Sequence, residues 1–150
     1  MSSQNIHIVN RRASYEYELS DRFNAGIQLS GTEVKSVRLG QANIGDAYCF
    51  LDSNNEMIIK NLHISEWKQG SYNNHEPKRD RKLLLNKSEL KKLRTKTKEK
   101  GYTIVPLKIF ISDTGYIKIE IALGRGKKSF DKRDSIKERD VQREIARFIK

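Results

Sequence analysis

Hydrophobic and polar positions alternate with a period of two over several short stretches of this chain, the spacing of strands that bury one face. Tyr15, Tyr17 and Leu19 alternate with Glu16, Glu18 and Ser20, and a turn at Asp21–Gly26 leads to a second strand through Ile27 and Leu29. Ala47–Asp52 and Met57–Leu62 flank Ser53-Asn54-Asn55, a hairpin signal. The two strongest strands, Tyr102–Ser112 and Tyr116–Leu123, meet through Asp113-Thr114-Gly115. Pro106 confines the first of them to an edge, a bulge or its own beginning. Helical spacing predicts a short helix from Thr32, as N-cap, to a stop at Gly40. Between a polar loop at 68–82 and Gly101, a second helix starts at Asn86 or Ser88. Leu90 and Leu93 face one way, and Lys91, Lys92, Arg94, Lys96, Lys98 and Lys100 coat the rest. Six short strands with a helix inserted before the last pair predict an all-β dominated chain with a few helices, a small antiparallel barrel like the oligonucleotide-binding (OB) fold.

The last stretch follows a different pattern. From Gly124 to Lys150 the chain holds ten Lys/Arg against five acids. From Glu138 onward, at about 100° per residue, Arg139, Arg143, Arg147 and Lys150 share one side and Val141, Ile145, Phe148 and Ile149 the other. Either this helix docks on the barrel by its apolar stripe, or it is loose alone and becomes helical along a polyanion. A helix of about 13 residues is marginal in water without a surface to pack on. Lys127, Lys128, Lys132 and Arg133 also repel one another unless an anion lies near. The loose tail is the favoured reading, giving a barrel over 1–130 and a tail over 131–150.

Charge sharpens the picture. The 150 residues carry 30 Lys/Arg and 19 Asp/Glu, net +11. Residues 1–70 are net −1, residues 71–123 net +7 and residues 124–150 net +5. Basic charge gathered in the second half fits a phosphate polymer as partner. A single cysteine, Cys49, excludes a disulfide framework and suits a reducing cytosol. With no signal-peptide pattern and no long apolar run, the expected setting is cytoplasmic, without membrane partners and as a monomer.

Candidate chemistry is that of binding. His7, His63 and His75 are isolated, no pair of ligands has metal spacing, and His75 reads as a surface residue of its loop. Cys49, between Tyr48 and Phe50, reads as a small buried residue. No catalytic residue, metal or cofactor is expected. Arg11 and Arg12, next to Asn10 and just before a strand, can grip a phosphate backbone, as can the cluster Lys78, Arg79, Arg81 and Lys82. Gly124-Arg125-Gly126-Lys127-Lys128 lacks the full spacing of a nucleotide P-loop. It reads as glycines letting backbone N–H groups and lysines approach phosphates. Phe130, among four cations, either stacks on a base or folds back on the barrel.

Asn10-Arg11-Arg12-Ala13, Tyr15-Glu16-Tyr17, Ala25-Gly26-Ile27, Gly31-Thr32-Glu33-Val34-Lys35-Ser36, Asn61-Leu62-His63-Ile64, Arg81-Lys82-Leu83-Leu84-Leu85, Val105-Pro106-Leu107 and Asp131-Lys132-Arg133 resemble, in order, the small protein B (SmpB, SsrA-binding protein) family. The resemblance implies a non-catalytic role in trans-translation. The barrel would hold the tRNA-like domain of transfer-messenger RNA, and the tail would enter the empty mRNA channel of the small ribosomal subunit near the decoding site. By position, the RNA-facing residues fall on Asn10, Arg11, Arg12, Asn24, Lys35, Leu84, Lys118, Gly126, Lys127 and Lys128. The decoding-site contact falls on Phe130, Lys132 and Arg133, with Lys137, Arg139, Arg143, Arg147, Phe148 and Ile149 completing the tail. Asn24 departs from the acid many members carry there. The alternative from charge alone is a basic OB-fold ribosomal protein or general RNA chaperone. A basic nuclease is disfavoured, because no acid/His cluster exists to activate water.

Overall fold

A computed structural model describes residues 7–70, 74–99 and 101–126. The order is β1 (His7–Val9), α1 (Ala13–Glu16), β2 (Tyr17–Ile27), α2 (Gly31–Arg38), β3 (Ala42–Asn43), β4 (Tyr48–Leu51), β5 (Met57–Lys60), β6 (His63–Ile64), β7 (Arg81–Leu84), α3 (Lys87–Thr97), β8 (Tyr102–Ile111) and β9 (Ile117–Gly126). All pairings are antiparallel, and the path β8-β4-β5-β7-β2-β9 returns to β8, closing a barrel. β1 covers the rest of the β8 edge beyond β4. Both sequence-predicted hairpins form, β4–β5 and β8–β9. No described helix is long and apolar enough to cross a membrane.

Two bulges set which face each half of the barrel wall buries. In β2, Phe23 and Ala25 pack into the main core, but Tyr17 and Leu19, of the same parity, pack in a second cluster outside it with Ala13, Val105, Leu107 and Ala122. A register shift between Ser20 and Arg22 reverses the alternation. In β8, Ile104 and Ile109 both face the core although five positions apart, and the shift between Pro106 and Lys108 restores the phase. β9 between them keeps strict alternation: Ile117, Ile119, Ile121 and Leu123 point in. The sequence-predicted turn at Asp21–Gly26 is therefore a bulge within one continuous strand. Its polar residues face outward rather than reversing the chain.

The second cluster lies under α1, which covers the outer wall where β9 ends. Here Gly124 is required: a Cβ would come within 2.7 Å of Val105 Cγ2 and 3.1 Å of Tyr17 Cβ. Among the described residues, the outer wall toward the other end of β2 and β9 has no such cover.

Both longer helices start with a capping box. α2 is capped by Ser30, not Thr32, because Ser30 and Glu33 exchange side chain and backbone bonds. Asn86 and Glu89 do the same for α3. Leu93 seats α3 in the main core beside Leu90.

A candidate nucleic-acid interface on the outer barrel wall

The uncovered outer wall is built from strand register. His7 pairs with Phe110, Phe110 with Lys118, Lys118 with Gly26, and Gly26 with Leu84, a row across β1, β8, β9, β2 and β7. The next outward row is Val9, Lys108, Glu120 and Asn24. Directly opposed residues have Cβ atoms about 4.5–5.5 Å apart, so three sequence-predicted residues, Asn24, Leu84 and Lys118, share one patch. Gly26 at its centre has no side chain, and Leu84 leans over it: a Cβ there would lie 3.3 Å from Leu84 Cβ and 3.5 Å from its Cδ1. Leu84 is 47% exposed and Val9 52%, unusual for aliphatic side chains facing water beside charges. Lys108 Nζ lies 5.6 Å over the Phe110 ring, and Arg22 pairs with Glu120 at 3.3 Å. His7, Val9, Lys108, Phe110 and Glu120 were not singled out from the sequence. Their alternation was visible, but which strands stand side by side was not.

Asn10 works from behind this wall. Its N–H donates to Leu107 O at 2.8 Å, its Nδ2 donates to Pro106 O at 2.9 Å, and its Oδ1 accepts from Arg12 N at 3.3 Å. It thus pins the chain after β1 to the β8 bulge and leaves Arg11 and Arg12 exposed. α1 then brings Tyr17 opposite Gly126, so the arginines and the end of β9 lie around the same helix. Lys35, exposed on α2, holds its ammonium 5.9 Å over the Trp67 ring.

The basic cluster at 78–82 divides. Arg81 is 1% exposed, and its Nε donates to Glu33 Oε2 in a fully buried ion pair. Its Nη1 donates to Leu62 O at 2.7 Å and its Nη2 to Pro77 O at 3.1 Å. Arg79 Nη2 binds Glu33 Oε1 at 2.5 Å. The RNA-facing expectation for Arg81 is corrected: every donor direction serves the protein interior. Arg79 is largely committed to the same carboxylate. Lys82 pairs with Glu56 at 3.0 Å, while Lys78 is exposed beside Asn61 and His63. Burial alone would raise the Glu33 pKa, but hydrogen bonds from Arg79, the Ser30 N–H and Arg81 outweigh it and hold the carboxyl below its ordinary value. Burial lowers the Arg81 pKa while Glu33 opposes that, and a guanidinium stays charged.

His75 is also corrected. It is buried, with Nε2 against Ile64 O and Nδ1 against Thr32 Oγ1, both at 2.9 Å. It ties the loop before β7 to α2 and β6. Cys49 is buried as expected, and burial pushes its thiol up, away from nucleophilic use. Among the described residues no three His, Cys, Asp or Glu side chains could hold a metal ion. Lys127, Lys128, Phe130, Lys132, Arg133, Lys137, Arg139, Arg143, Arg147, Phe148 and Ile149 lie outside the described residues.

Comparison with known proteins agrees with this architecture. The family model described as SmpB protein matches residues 7–150. The SsrA-binding protein of Bacteroides thetaiotaomicron is 49% identical over 150 residues, covering 100% of this chain and 99% of that one. The SsrA-binding protein of Moorella thermoacetica is 48% identical, covering 94% and 90%. A chain in the solved structure "tmRNA-SmpB: a journey to the center of the bacterial ribosome" is similar at TM-score 0.69 and 41% identity, over 87% of this chain and 94% of that one. With the barrel fold and a match over nearly the whole chain in agreement, the chain belongs to the SmpB protein family.

Proposed function

We propose that this protein binds the tRNA-like domain of transfer-messenger RNA and brings it to stalled ribosomes, as a non-enzymatic, monomeric factor of the cytoplasm. The observation that carries the reading is the row across the barrel. Asn24, Leu84 and Lys118, distant in sequence, converge around Gly26 on a stretch of outer wall that α1 does not cover. Family membership, and relatives that are SsrA-binding proteins, support the same partner. Arg11, Arg12, Lys35, Lys78 and Lys82 take phosphates around this patch, joined by the Gly126-Lys127-Lys128 turn, while Leu84 packs on sugar or base. Asn24 keeps a donor and an acceptor without negative charge.

In this reading residues 131–150 form a tail, disordered alone and helical when bound. It enters the empty mRNA channel of the small subunit, with Phe130, Lys132 and Arg133 at the decoding site. The barrel is tested by gel shift with the tRNA-like RNA against an unrelated hairpin of equal length. The chain is expected to prefer the former, and Lys118→Ala to lower the slope of log K against log salt by about one contact's worth, 0.7–0.9. Equal affinity for both RNAs would sink the assignment in favour of a general RNA chaperone. The tail is tested by truncation after Arg133, which should abolish peptide tagging on stalled ribosomes with the gel shift nearly intact.

A further inference from the structure

α3 carries a feature that the patch above does not use. Lys87, Lys91, Arg94 and Lys98 recur at spacings of four, three and four residues. At 3.6 residues per turn they fall within about 60° of one another, a straight stripe about 16 Å long. None of the four has an ion-pair partner among the described residues. The nearby acids are spent elsewhere: Asp21 pairs with Lys92 at 3.7 Å and Glu99 with Lys96 at 3.8 Å, both off the stripe. Glu89 accepts from the Asn86 N–H in the capping box. Neutralisation is thus selective, and the face it leaves bare is the one where cations line up and repel along the helix. The array is also rigid, because the capping box fixes its start and Leu93 seats its middle in the core.

We propose that this stripe is a phosphate-binding track for double-stranded RNA, continuing the contact that begins at Leu84. Charge complementarity selects a polyanion. Position selects the RNA held on the outer wall: Leu84 ends β7, Asn86 caps α3, and the stripe starts at Lys87, so a stem seated on Leu84 and Lys118 can run on along the helix. The contact is to backbone and carries no base readout. This rests on the functional reading above, and its test is separable from it.

The test compares two full-length variants with equal loss of charge, Lys91→Gln/Lys98→Gln on the stripe and Lys60→Gln/Lys68→Gln on exposed surface elsewhere. Gln is a good helix former, so α3 should persist, which circular dichroism checks. Each binds the tRNA-like RNA, an unrelated hairpin and purified small ribosomal subunits across a salt series. The expected result is a salt slope lower by about 1.4–1.8 for the stripe variant with the tRNA-like RNA, two contacts' worth, and little change for the other. The preference for the tRNA-like RNA over the hairpin should survive, since phosphate contacts do not discriminate. Equal slopes for the two variants overturn the track, as does a loss confined to small subunits. If the wild type has no preference yet the stripe variant loses slope, the track stands and the assignment of its RNA falls.

Discussion

Two neighbouring basic stretches, residues 78–82 and 87–98, look alike as sequence and have opposite fates. In the first, the chain enters β7 at Arg81, and strand alternation there turns Arg81 and Leu83 in while Lys82 and Leu84 point out. Arg81 therefore enters the core, where it must be neutralised, and Glu33 on α2 supplies the charge with Arg79 closing over the pair. In the second, the chain is a helix whose two leucines take the inward face and leave the cations in water. The sign of the charge was the same. The period of the element decided whether it was structural or available.

The comparison breaks most visibly at Glu33. Glu33→Gln leaves Arg81 buried without a counter-charge and should cost about 3–5 kcal/mol, a large share of the ~5–15 kcal/mol holding a domain together. Thermal unfolding that stays within a degree or two of wild type would mean the pair is not what neutralises Arg81. Acid should reach the same point by titration. Because the folded Glu33 pKa lies below its ordinary value, its contribution is complete above about pH 4.5 and is lost as pH falls through the lower folded value. A pH series of unfolding free energies should therefore drop in the acid range, and the drop should shrink in Glu33→Gln.

Arg79→Gln should do less, about 1.5–3 kcal/mol for a hydrogen bond to a charged group, because Arg81 still neutralises the carboxylate. Equal losses in Arg79→Gln and Arg81→Gln would erase the distinction between the half-exposed and the buried partner. The smallest effect belongs to the other stretch. Lys91→Gln/Lys98→Gln should shift stability by less than ~0.5 kcal/mol, if anything upward, since it relieves repulsion along α3. Denaturant melts that place this variant beside Glu33→Gln would show the helix cations to be as structural as Arg81.

What the sequence made legible was whatever is local. Both hairpins, α2, α3 with Asn86 as one of two cap candidates, the buried Cys49 and a bulge among the options for Pro106 all follow from spacing within about a dozen residues. What it hid depends on partners far away. Arg81 and Arg79 read as surface cations because Glu33 lies 48 and 46 residues earlier. His75 read as exposed because Thr32 and the Ile64 carbonyl, which hold it, come from other elements. Asp21 and Arg22 read as a turn because a bulge between two outward-facing halves has the same polarity as a loop. The candidate site was legible residue by residue through the family resemblance, but its geometry was not. Only the register of β2 with β7 and β9 sets Leu84 and Lys118 on either side of Gly26.

β9 also has a mechanical consequence. Its ladder with β2 runs to Gly126 opposite Tyr17, and its ladder with β8 runs to Arg125 opposite Tyr102. β9 is therefore gripped on both edges up to its last described residues, with Gly124 wedged between Tyr17 and Val105. A pull along the chain beyond Gly126 loads two rows of hydrogen bonds in shear, so they resist together instead of unzipping one by one. β9 is thus a stiff element shared by two ladders, joining the Gly126 end of the barrel to the wall that carries Asn24 and Lys118.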